Sequence, residues 1–302
     1  MTFQRVAIIG LGLIGGSIGL ALGEDLPQVA TSGYDIDPKV RARARERGLV
    51  HVIHDDPGEA VKGADLVILC VPVGAMSAAA ASIAADLSPA CVISDVGSSK
   101  RTTTQVLTDA LPGFEVIPAH PVAGTENSGP DAGFATLFHR RWCIVTPPEG
   151  ADKGKVAALI DFWESLGAMV ECMDADHHDR VLAVTSHIPH LIAYTIVGTA
   201  SDMEEVTRSE VIKYSAGGFR DFTRIASSDP TMWRDVFLNN KDAVLDMLDT
   251  FLTDLALMRD AIEKGDGDRM FDMFSRTRAI RRSIVALGQD DARADFGRSD
   301  HK

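Results

Sequence analysis

Val6-Ala7-Ile8-Ile9-Gly10-Leu11-Gly12-Leu13-Ile14-Gly15 is the stretch on which the reading of this chain turns. A short β-rich run, Val6–Gly10, leads into a G-x-G-x-x-G, and Gly15–Leu22 beyond it reads as a helix. Gly10 permits the tight turn, Gly12 lets the backbone approach a pyrophosphate, and Gly15 lets the helix close on the strand. Leu13 and Ile14 then sit at a helix N-terminus, whose free N–H groups face phosphate oxygens. Alone, the motif is weak. Its context strengthens it, because Asp35 ends a second β-rich run, Val29–Asp35, twenty residues beyond Gly15. A carboxylate there accepts hydrogen bonds from an adenosine ribose and repels a 2′-phosphate, and no arginine directly follows it, so NAD is expected over NADP.

Working outward, short apolar runs alternate with helical stretches, the pattern of βαβ units and a parallel sheet. Pro38 starts a helix that stops at Gly48, Asp65–Val71 reads as a buried strand, and Pro72 opens a small-residue helix. Cys91–Asp95, Val116–Ala119, Trp142–Pro147 and Ala168–Met173 read as further strands, with an amphipathic helix over Ala151–Gly167. After Asp174 strand signals vanish. Helices are expected over Ala175–Ser201, Glu204–Ser215, Gly218–Ile225, Pro230–Lys264 and Gly267–Leu287. The expected fold class is therefore α/β: a Rossmann-type dinucleotide-binding domain over 1–173, then an all-α domain over 174–289, with a charged tail over 290–302. In Pro230–Lys264 the residues Val236, Phe237, Val244, Met247, Leu248, Phe251, Leu255 and Met258 form a stripe at helical spacing. So long a helix with so broad an apolar face predicts dimerisation through the helical half.

Composition narrows the function classes. A formal charge of -13 disfavours nucleic acid or an anionic membrane as partner, and 45% apolar residues supply two cores. Cys70, Cys91, Cys143 and Cys172 are scattered beside apolar runs with no C-x-x-C, so they read as reduced core thiols of a cytoplasmic protein. Val6–Gly23 is uncharged, but six glycines break it and Glu24 and Asp25 end it, so it reads as neither a signal peptide nor a membrane span.

A hydride-transferring site needs a base for the departing hydroxyl proton. His177 and His178, in Asp174-Ala-Asp-His-His-Asp179, suggest zinc at first sight, yet adjacent residues at a helix start point apart, so a solvated cap is expected and no metal. His120 follows an apolar strand and precedes Pro121, which places it at the carboxyl end of the sheet, where α/β folds hold substrates. His187 and His190, three apart around Pro189, share a helix face that suits the lining of a cleft.

Four separated stretches make a resemblance specific: Gly10-Leu-Gly-Leu-Ile-Gly-Gly-Ser17, Asp95-Val-Gly-Ser-Ser-Lys100, His120-Pro-Val-Ala-Gly-Thr-Glu-Asn-Ser-Gly129, and Gly218-Phe-Arg-Asp-Phe-Thr-Arg224 running to Trp233. From near residue 4 to about residue 287 the chain resembles the prephenate/arogenate (cyclohexadienyl) dehydrogenase family. The resemblance implies a homodimeric NAD-dependent oxidoreductase of tyrosine biosynthesis. It would oxidatively decarboxylate prephenate to 4-hydroxyphenylpyruvate, arogenate to tyrosine, or both.

Residue by residue, the resemblance makes His120 the base at the ring hydroxyl and Ser98, or its neighbour Ser99, the residue orienting that hydroxyl. Arg224 grips the ring carboxylate, and His190, with His187, lies near the substrate side chain. Thr125 and Glu126 stand at the cleft mouth, with Glu126 and Asp221 poised to pair with Arg224 when substrate is absent. Trp233 is an aromatic at the site, from this subunit or its partner. The two-domain layout alone also fits a β-hydroxyacid or imine-reducing dehydrogenase using a helical lysine, for which Lys213 is the nearby candidate, or an NAD-sensing protein without turnover. Neither explains Ser98, His120 and Arg224 together.

Overall fold

Strand β1 (Arg5–Ile9) turns Val6 and Ile8 to one face of a sheet and Ala7 and Ile9 to the other, and all four are buried. A strand covered on both sides loses the polar alternation of a half-exposed one, which is why its sequence is a continuous apolar run. The computed structural model describes residues 3–125, 127–202 and 217–286. After β1 come α1 (Leu13–Asp25), β2 (Ala30–Tyr34), α2 (Pro38–Arg47), β3 (Val52–Ile53), α3 (Pro57–Val61) and β4 (Leu66–Leu69). A 3-10 turn (Val73–Ala75) precedes α4 (Met76–Ile83), and β5 (Val92–Asp95), α5 (Arg101–Ala110) and β6 (Glu115–Val116) follow. The six strands form a parallel sheet in the order β3-β2-β1-β4-β5-β6, with β1 central and the glycine turn at its carboxyl end.

The strand expected over Val116–Ala119 is divided. Ile117 still donates to the Ile93 carbonyl of the first sheet, but Pro118 has no N–H to continue the ladder. The chain leaves there for a second sheet of β7 (Ala119–Pro121), β8 (Trp142–Val145) and β9 (Met169–Cys172), with α6 (Lys153–Ser165) before β9. His120 therefore lies in the middle of β7, opposite Ile144, rather than just beyond a strand of the parallel sheet. Cys172 is exposed, unlike the core thiol expected.

Next come α7 (Ala175–Leu182), a π-helical turn (Ala183–His187) and α8 (Ile188–Asp202). Pro189 cannot donate to the carbonyl four residues back, and the ladder widens so that the Ile188 N–H reaches Ala183 O. Among the described residues, Ala175–Asp202 is the one run long and apolar enough to cross a membrane. Here it buries His178, Asp179 and His187 against polar partners.

The chain continues with α9 (Gly217–Thr223), a 3-10 turn (Arg224–Ser227), α10 (Pro230–Asn239), α11 (Lys241–Lys264) and α12 (Gly267–Ala286). The helix expected over Pro230–Lys264 is two helices, broken at Asn240 (φ -112°, ψ 32°). The helix expected over Glu204–Ser215, Lys213 and the 290–302 tail lie outside the described residues, as does Glu126. The chain divides into two compact units, Met1–Met247 and Leu248–Lys302. The second presents exposed Leu252, Leu255, Leu257, Ile262, Phe271 and Phe274.

Candidate active site

The histidine of β7 and the first turns of α7 meet in a chain of hydrogen bonds. His120 Nδ1 lies 2.8 Å from His178 Nε2, and His178 Nδ1 lies 2.8 Å from Asp179 Oδ1. Asp179 also accepts the backbone N–H of Lys100 at Oδ1 (2.7 Å) and of Arg101 at Oδ2 (3.0 Å). It thereby caps α5, whose own first residues supply no side-chain cap.

These contacts assign the protons. A carboxylate only accepts, so His178 carries hydrogen on Nδ1 and offers Nε2 as an acceptor. His120 must then donate from Nδ1, which leaves its Nε2 with a free lone pair. Burial, reinforced by the neighbouring His178, Lys100 and His187, holds the His120 pKa well below the ordinary 6.5. Burial lowers His178 as well, against the pull of Asp179. The imidazole of His120 is a neutral base by construction.

His178, with no exposed surface, corrects the expectation of a solvated cap. Asp174 does cap α7 by accepting the His177 N–H, and His177 is exposed. One residue further on, the helical turn carries His178 inward. A His-Asp pair at a helix start was the available signal, but nothing in the sequence says which of two adjacent histidines faces the core. Among the described residues no His/Cys/Asp/Glu group is arranged to hold a metal.

Beneath His120 lies a fully buried ion pair that sequence reasoning missed. Lys100 Nζ reaches Asp95 Oδ2 (2.5 Å) and Ala119 O (2.7 Å), the carbonyl preceding His120. Burial lowers the lysine and raises the aspartate, and each opposes the other's shift. A lone charge there would be very costly, so the two stand or fall together.

Ser98 and Ser99 separate clearly. Ser99 is fully buried, while Ser98 is partly open at the carboxyl end of β5. His187, expected beside substrate, has no exposed surface, and its Nδ1 faces the Asn240 amide at 3.1 Å. It supports the site from within. His190 is the open member of the pair: it stacks on Trp233 (3.6 Å between centroids, 22° between planes), and its Nδ1 donates to Ser186 O at 2.9 Å. Trp233 thus packs against both histidines of its own chain, its ring 6.1 Å from that of His187 in a T-shaped arrangement.

Burial lowers the His190 pKa, and the nearby positive Arg224 lowers it further. Arg224 opens the 3-10 turn after α9, and that turn is tied down where the Tyr194 hydroxyl donates to Ser228 O at 2.7 Å. Thr125 is exposed, its Oγ1 accepting the Asn127 N–H. Asp221 is exposed on α9, one turn before Arg224.

The β1–α1 turn fits a dinucleotide. Gly10 has φ +101°, and a Cβ there would press on Cys70 O at 2.4 Å. A Cβ on Gly15 would lie 1.9 Å from Gly10 O, so only glycine lets α1 start this close to the strand. Gly12 differs. A Cβ there would meet nothing within 4 Å, so this position faces open space beside the uncapped N-terminus of α1 at Leu13, Ile14 and Gly15. Asp35 sits at the rim, each carboxylate oxygen accepting one backbone N–H, from Leu11 and from Asp37.

Comparison with known proteins points one way. Residues 18–172 match the family described as "Prephenate dehydrogenase, nucleotide-binding domain", and residues 174–276 match "Prephenate dehydrogenase, dimerization domain". The chain is 45% identical to the cyclohexadienyl dehydrogenase of Zymomonas mobilis, over 93% of this chain and 96% of that one. It is 34% identical to the prephenate dehydrogenase of Bacillus subtilis, over 92% and 75%. The crystal structure of prephenate dehydrogenase from Aquifex aeolicus in complex with hydroxyphenyl propionate and NAD+ superposes with a TM-score of 0.87 at 31% identity, covering 94% of this chain and 99% of that one.

Proposed function

The chain belongs to the prephenate dehydrogenase family, and from that premise we propose that it oxidatively decarboxylates prephenate, arogenate or both on the route to tyrosine. The observation that carries this reading is the free Nε2 of His120, fixed as a neutral acceptor by His178 and Asp179. NAD, held at Gly10, Gly12, Leu13, Ile14, Gly15 and Asp35, supplies the hydride acceptor when bound.

His120 Nε2 takes the ring hydroxyl proton, and the cation that forms is stabilised through His178 by the Asp179 carboxylate. Ser98, the more open of the two serines, orients the hydroxyl. Arg224 holds the ring carboxylate, a task suited to a fixed charge with bidentate geometry. His190, backed by Trp233, meets the substrate side chain. Thr125 borders the entrance, and Asp221 pairs with Arg224 before substrate arrives.

In this reading residues 1–173 bind the nucleotide and 174–289 complete the substrate site. The protein is a soluble cytoplasmic homodimer, its contact made through the helical part, where exposed leucines and phenylalanines favour a second copy. The test is NADH formation with prephenate and with arogenate, each with NAD and with NADP. Turnover of neither substrate refutes the proposal.

A further inference from the structure

Asn240 stands at the break between α10 and α11, 5% exposed, and its side chain points back into the site. Its Nδ2 donates to Asp179 O at 2.8 Å and lies 3.1 Å from His187 Nδ1. The orientation of the amide is not arbitrary. The atom facing a backbone carbonyl must be the nitrogen, and the same nitrogen faces His187. His187 Nδ1 therefore accepts. Burial pushes the His187 pKa down to about 4, so the ring is neutral and its one proton sits on Nε2. That N–H is buried with no hydrogen-bond partner among the described residues, and the Ser98 backbone pulls the His187 pKa upward against the burial that lowers it.

Two arms of the site thus meet at one nitrogen. Through the carbonyl of Asp179, Asn240 holds the residue that anchors His178 and His120. Through the His187 tautomer, it presents an N–H donor to the loop that carries Ser98. From these contacts we infer that Asn240 is a positioning residue for the reaction: it fixes the proton of His187 on Nε2, so that His187 steadies the Ser98 loop in register with the base. The inference rests on the role given to Ser98 above. Nothing in the sequence marks the residue, since the helical pattern runs through position 240 as though the helix were unbroken.

The experiment has two measurements. In the wild-type protein, 15N resonances of His187 should report a neutral ring protonated at Nε2 throughout the neutral pH range. An Nδ1-protonated or cationic ring overturns the inference, and this readout needs neither turnover nor a variant. Asn240→Leu, which removes both bonds at similar volume, should mix the His187 tautomers and lower the single-turnover rate about tenfold, the size of one or two net hydrogen bonds. The Kd for NAD should stay within about twofold of wild type, and Asn240→Gln should recover part of the rate.

A variant of lowered Tm but unchanged single-turnover rate would show a merely structural role and overturn the inference. Should Asn240→Leu fail to fold, the wild-type tautomer decides. If the wild type turns over neither substrate, the functional proposal fails first, and the resonances still settle the hold of Asn240 on His187.

Discussion

Asp179→Asn removes one charge at nearly constant shape, and the structure limits what can follow. The carboxylate receives three N–H groups: Lys100 and His178 at Oδ1, Arg101 at Oδ2. An asparagine keeps one oxygen. With that oxygen toward Lys100 and His178, one donor-to-donor clash arises at Arg101. With it toward Arg101, the amide hydrogens face two donors instead.

The first orientation costs less and preserves the His178 tautomer, so the catalytic loss is the charge that stabilises imidazolium at His120. A hydrogen bond to a charged group contributes about 1.5–3 kcal/mol, so the single-turnover rate should fall between about 10-fold and 150-fold. The second orientation would force hydrogen onto His120 Nε2 and leave no base. A loss near 10⁴-fold, the size seen when an aspartate supporting a catalytic histidine becomes asparagine, would mark that outcome. The assay is rapid-mixing NADH absorbance at saturating substrate, with the Kd for NAD measured separately. A folded Asp179→Asn protein within about twofold of the wild-type rate would refute the relay.

His120→Asn should lower the rate by about 10²–10⁴ with NAD affinity retained, and an unchanged rate would remove His120 from the chemistry. In the pH profile of kcat/KM, activity should fall as acid protonates His120; because its pKa lies below 6.5, that fall should come at lower pH than for an ordinary histidine. Gly12→Ala should fold normally yet weaken NAD binding, whereas Gly15→Ala should unfold the turn; thermal melts with NAD titration separate the two. Arg224→Ala should raise KM about 10-fold to 150-fold, the loss of a charge-assisted carboxylate contact, and an unaltered KM would count against it. For stability, the His187 pKa of about 4 lies below its ordinary 6.5. The unfolded chain therefore binds more protons, stability drops as pH falls from 6.5, and the loss levels off near pH 4 at about 3 kcal/mol. Urea titrations should show a smaller acid loss in His187→Gln.

Local chemistry wrote much of this molecule plainly. The glycine turn, Asp35, the alternating runs up to Cys172 and the proline starts at Pro38 and Pro230 follow from backbone geometry and periodicity that a few neighbouring residues determine. Other features were out of reach because their causes lie far away in the chain. Helix α5, rich in threonine, is capped by Asp179 from 78 residues away, and no sequence rule spans that gap. The division at Pro118 depended on which sheet offered the next partner, and the break at Asn240 on polar groups of Asp179 and His187 waiting to be bonded.

The same limit applied to the site. Sequence named His120, Ser98, Arg224, His190 and Trp233 as candidates, because residue type and motif order carry that much. Which imidazole faces solvent, which is sealed inside and which nitrogen bears a proton depended on partners 53 to 79 positions distant. A side chain's type is encoded where it stands, whereas its tautomer, pKa and exposure belong to the company that folding brings to it.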